Sequence, residues 1–112
     1  MTQAEVKLMF EELGIPSAYY QFAENTGIEP PFICYFFGNS KDFSADNINY
    51  VHLVPLYIEL YTDTKDFELE GRIEGMLTDR ELFYTREETF LDSERMHETI
   101  YQTDIVLEAN NG

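Results

Sequence analysis

Asn49-Tyr50-Val51-His52-Leu53-Val54-Pro55-Leu56-Tyr57-Ile58-Glu59-Leu60-Tyr61 reads as one long strand, stopped by Thr62-Asp63-Thr64-Lys65-Asp66. By period two, Val54, Leu56, Ile58 and Leu60 share one face, while Tyr57, Glu59 and Tyr61 share the other. A small domain ordinarily uses strands of about 5–6 residues. A run this long predicts a sheet that reaches beyond the protomer's own core, and so a building block. The tyrosine face is a candidate interface. Pro55 cannot donate to a ladder, so it marks a bulge or a stretch where the strand lies at an edge.

Working outward, the next element is an acidic amphipathic helix from about Lys65 to Leu77. Leu69, Ile73, Met76 and Leu77 form its apolar stripe. Asp63, Asp66 and Glu68 stand near its start, where the helix dipole favours anions. Gly71 and Gly75 each weaken it by about 1 kcal/mol relative to Ala, and close packing on the sheet is one reason to keep them. Leu82 to Phe90 then reads as a strand, Ser93-Glu94-Arg95 as a turn, and Met96 to Leu107 as the last strand. There Ile100 and Val106 share one parity, and Tyr101, Ile105 and Leu107 the other, so both faces are partly apolar.

Upstream, Thr2 and Glu5 form a T-x-x-E capping box. Val6, Met9, Phe10 and Leu13 follow at helical spacing, and Gly14 and Pro16 end the helix. Ser17 to Ala23 reads as a strand rich in Tyr19, Tyr20 and Phe22. Asn25-Thr26-Gly27 and Pro30-Pro31 mark a loop. Phe32-Ile33-Cys34-Tyr35-Phe36-Phe37 is a continuous apolar run, too short for a helix and right for a central strand. The segment from Asn39 to Asn47 is polar around a lone Phe43. It is a candidate partner-contact loop through Asn39, Lys41, Asp42, Phe43, Asp46 and Asn47, mobile in the free chain and ordered by a neighbour. The order α-β-β-β-α-β-β predicts an α+β domain with a mainly antiparallel sheet of about five strands and both helices on one face.

With 112 residues the chain suffices for one domain, residues 1–112, with one core. Its net charge of −15 argues against duplex or RNA binding, because non-specific affinity needs Lys and Arg to displace counterions. The acids are spread over the chain, so there is no acidic tail. Cys34 is the only cysteine, which excludes an internal disulfide and a cysteine metal site, and it reads as a small buried hydrophobe. No signal segment begins at Met1 and no apolar run nears the ~20 residues of a membrane span. A soluble protein made in the cytoplasm is expected.

No constellation announces a reaction. His52 and His97 lie in different strands without a second ligand at metal spacing. Ser17, Ser40, Ser44 and Ser93 lack a nucleophile-elbow motif. Asp63, Asp66, Glu68, Glu70 and Glu74 lack the pattern of a calcium loop and read as a solvated helix face. No glycine-rich phosphate cradle is present. The expectation is no catalytic residue, cofactor, metal or small-molecule substrate.

The order of turns is familiar. Leu13-Gly14-Ile15-Pro16 and Ala18-Tyr19-Tyr20 follow a short first helix. Pro30-Pro31-Phe32, Ala45-Asp46-Asn47 and Ile58-Glu59-Leu60-Tyr61-Thr62 come next, with Lys65-Asp66 and Glu70. Ser93-Glu94-Arg95-Met96 precedes the last strand. This pattern resembles the tail-terminator, or tail-to-head joining (tail completion), proteins of long-tailed phages and prophages. The resemblance covers most of the chain, through turn and core residues. It implies a virion tail protein that forms a homo-oligomeric ring, commonly of six copies, and meets other tail or connector proteins while DNA slides past. The alternative is a small acidic binding, adaptor or inhibitor domain, including a nucleic-acid mimic.

Overall fold

A capping box starts the first helix. Glu5 N donates to Thr2 Oγ1 at 3.1 Å, and Thr2 N donates to Glu5 Oε1 at 2.8 Å. The computed structural model describes residues 1–22, 27–40 and 51–108. Among them the order is α1 (Gln3–Glu11), β1 (Ser17–Tyr19), β2 (Phe32–Phe37), β3 (Val51–Thr62), α2 (Phe67–Asp79), β4 (Tyr84–Leu91) and β5 (Met96–Glu108). The five strands make one sheet in the order β1-β2-β3-β5-β4. Only β1 and β2 run parallel. The α+β class, the element order and the mainly antiparallel sheet are as the sequence predicts.

Both helices cover the same face. Phe10 of α1 stacks on Tyr35 of β2 with ring centroids 4.4 Å apart. Tyr101 of β5 donates to Glu74 of α2 at 2.8 Å. Tyr35, Ile58 and Tyr101 are register partners across β2, β3 and β5, so they point the same way. Val6, Met9, Phe10, Leu69, Ile73 and Leu77 meet Ile33, Leu56, Ile58, Leu60 and Ile105 there in one buried cluster. The period-two reading of β3 therefore holds.

The boundaries differ from the sequence reading for local reasons. β1 stops at Tyr19 because Tyr20 adopts a left-handed φ of 71°. The second helix starts at Phe67 because the Asp66 carboxylate caps it, accepting from Leu69 N at 2.9 Å. Gly71 and Gly75 lie exposed, with nothing within 4 Å of an added Cβ. Close packing is thus not their reason, and the structure offers no other.

Pro55 is accommodated without a bulge, since the β3–β5 register runs unbroken through it. The Pro55 carbonyl accepts from Gly38 N at 2.8 Å, just past the end of β2. Its nitrogen faces the same side, where among the described residues the β2 ladder has ended, so no bond to β5 is lost. An added Cβ at Gly38 would meet Pro55 Cγ at 2.6 Å, which fixes glycine at that close approach. β3 is paired with β5 along its whole length and with β2 only from Leu56 onward. The long strand is thus matched inside the protomer by a strand of 13 residues.

Candidate functional site

The face of the sheet opposite the helices carries three rows of side chains. Phe32, Tyr61 and Glu98 form one row across β2, β3 and β5. Cys34, Glu59 and Ile100 form the next, and Phe36, Tyr57 and Gln102 the third. Phe32 stacks on Tyr61, and Phe36 on Tyr57, each pair with centroids 4.9 Å apart. The β1 end extends both stacks, with Phe22 at 5.6 Å from Phe32 and Tyr20 at 5.4 Å from Phe36. Glu59 therefore sits between two aromatic rows, as alternation along β3 requires.

The electrostatics of this face are one-sided. Tyr61 Oη donates to Glu59 Oε1 at 3.1 Å, and Glu98 is the register partner of Tyr61 on β5. Burial raises the Glu59 carboxyl above its ordinary value. The Glu98 charge adds to that rise, and the Tyr61 bond opposes it. Burial likewise raises the Tyr61 phenol, with both carboxylates helping. Burial first, then Glu59, pushes the Cys34 thiol up to about 11. A thiol so placed stays protonated near neutrality, which deprives it of nucleophilic character. No lysine or arginine occupies a described strand position of this face.

The other concentration of ionisable groups lies under α2. Glu70 Oε1 accepts from Lys65 Nζ at 2.9 Å and from Arg86 Nη2. Glu88 Oε2 accepts from the same two cations, at 2.5 Å and 2.7 Å. Arg86 Nε lies 3.5 Å from Glu74 Oε2, which also takes the Tyr101 hydroxyl. The Lys65 bond holds Glu88 below the usual carboxylate range, and that bond in turn raises Lys65. Each group answers another, so the network ties α2 to β4 and β5. The acidic run is accordingly not the solvated face the sequence suggests. Glu70 is buried and Asp66 caps the helix, while Asp63 and Glu68 are exposed.

A groove of about 610 Å³ lies between α1, the following turn and β1, where Lys7, Glu11, Tyr19 and Tyr35 line it. Lys7 stands 4.0 Å from Glu11 there. His52 and His97 stand at opposite ends of the β3–β5 ladder, opposite Leu107 and Thr62. They do not converge. No described helix is long and apolar enough to cross a membrane.

Of the residues singled out in sequence, Tyr57, Glu59 and Tyr61 come together in the middle of the bare face. Asn39 is exposed just after β2. Lys41, Asp42, Phe43, Asp46 and Asn47 lie outside the described residues. Sequence reasoning missed Glu98, whose place beside Tyr61 depends on the β3–β5 register. It also missed the aromatic stacks, though the phenylalanines at i and i+4 of β2 already shared a parity with Cys34 between them.

Comparison of the chain with protein-family models and with curated proteins finds no match.

Proposed function

We propose that this chain is a non-enzymatic structural subunit of a phage or prophage tail, of the terminator or head–tail joining type. It assembles into a ring with copies of itself and meets other tail or connector proteins. One observation carries the reading. Among the described residues, two helices close one face of the sheet and none covers the other, which is rowed with stacked aromatics around Glu59. Aromatic surface of this kind suits protein contact. Further support comes from the network under α2, whose charges answer one another and brace the fold. The acid surplus suits a channel protein that DNA must pass without adhering to it.

The second reading, an acidic adaptor or inhibitor domain, is favoured by Glu59, Glu87 and Glu98 on that bare face. Deleting the gene from the phage or prophage that carries it discriminates the two. Electron microscopy should then find filled heads and tails that fail to join, with joining restored by the gene supplied in trans. Normal virions from the deletion strain would overturn the tail reading.

A further inference from the structure

The bare face asks for a partner of particular chemistry. Glu59 is half-buried between Tyr57 and Tyr61, whose rings stack on Phe36 and Phe32. Glu98 stands opposite Tyr61 across the strand pair, diagonal to Glu59, and its charge helps to raise the Glu59 carboxyl. Two carboxylates thus flank Tyr61, Glu59 bonded to its hydroxyl and Glu98 opposite it in the ladder, on a face whose described strand positions hold no cation. Burying a carboxylate without a cation is unfavourable. The raised Glu59 carboxyl reports that penalty.

We propose that this face docks an arginine-bearing segment of a different protein, with a guanidinium seated on Glu59 and Glu98 between the two aromatic rows. A guanidinium is planar and carries its donors in a fork, so it matches a carboxylate and stacks on a tyrosine or phenylalanine ring at once. An ammonium does the first poorly and the second less well. Desolvated among rings, the charge pair gains strength that an exposed pair lacks. A second copy of the chain is the less fitting occupant. Face-to-face pairing would bring together two faces whose described strand positions carry acids and no cation, and like charges opposed across an interface are costly. The inference stands on the sheet face alone, and a ring could form through the sheet edges whether it holds or fails.

A protein of net charge −15 attracts any polycation, so the test must read place as well as affinity. Hexa-arginine and hexa-lysine peptides are titrated into the isotope-labelled chain at moderate salt and followed by amide shifts. Hexa-arginine should move Tyr57, Glu59, Tyr61 and Glu98 most, and bind more tightly than hexa-lysine. The double variant Glu59→Gln/Glu98→Gln should weaken hexa-arginine by about tenfold. The control Glu68→Gln/Glu81→Gln removes two exposed acids elsewhere and should weaken it by no more than about twofold. Glu59→Gln should at the same time raise the denaturation midpoint at pH 7, because the folded chain disfavours that charge. Equal losses in both double variants, shifts spread over the whole chain, equal affinity for the two peptides, or no binding would overturn the proposal. Concentration-dependent shifts at Tyr57 and Tyr61 without peptide would overturn it in favour of a second copy.

Discussion

Ile58→Ala should cost about 2–5 kcal/mol, read as a fall in the denaturant midpoint at unchanged slope. Ile58 is fully buried at the centre of the sheet, with Tyr35 and Tyr101 as its neighbours on β2 and β5. Both helices lie over that row, since Phe10 stacks on Tyr35 and Glu74 holds Tyr101. A cavity there cannot fill easily, because it is walled by two rings whose positions other contacts fix. Domains of this size have about 5–15 kcal/mol in all, so the variant should sit near the edge of folding. A loss under about 0.5 kcal/mol would mean that this row is not the core.

Glu70→Ala should be the next largest, at about 2–4 kcal/mol. Removing one member of a fully buried pair costs about 3–5 kcal/mol, because the other charge is left without its partner. The figure here is lower because Lys65 and Arg86 keep 23% and 34% of their side-chain exposure and can draw on water. Glu88 also still holds both cations, so the network is weakened rather than dissolved. Glu88→Gln gives the pH arm of the same test. Its folded carboxyl is depressed by the Lys65 bond, so its contribution is fully present above the unfolded value of about 4.3 and is lost as pH falls through the folded one. The difference between wild type and Glu88→Gln should therefore be present at pH 7 and vanish in acid. A gap that persists in acid, or a Glu70→Ala variant as stable as wild type, would show that the network does not brace α2.

The elements were legible in the sequence where the signal is local. Thr2 and Glu5 mark α1 by the spacing of a capping box, and that box is present in the fold. Alternation along residues 54–61 assigns both faces of β3, and burial follows it from Leu56 to Tyr61, with Pro55 buried against the pattern. What sequence did not reveal depends on partners far along the chain. Glu70 looks like one more acid in an acidic helix until β4 brings Arg86 against it from sixteen residues away. Asp66 reads as a helix-dipole charge, and its role as the cap needs the backbone turn that aims its carboxylate at Leu69 N. For the bare face, Tyr57, Glu59 and Tyr61 are visible as a set because they lie on one strand. Phe32, Phe36 and Glu98 join them only through the registers of β2 and β5 on β3. Pro55 is the intermediate case. Its missing donor requires an unpaired side, and the end of β2 at Phe37 supplies one that no local pattern could place.

As a proposed tail subunit, this protomer should assemble with copies of itself. Native mass spectrometry of the chain, purified alone over a range of concentrations and together with the products of its neighbouring genes, reads that assembly. A closed assembly holding several equivalent copies is expected, about six for a ring of the resembled kind. A single copy in every complex, at every concentration, would contradict it.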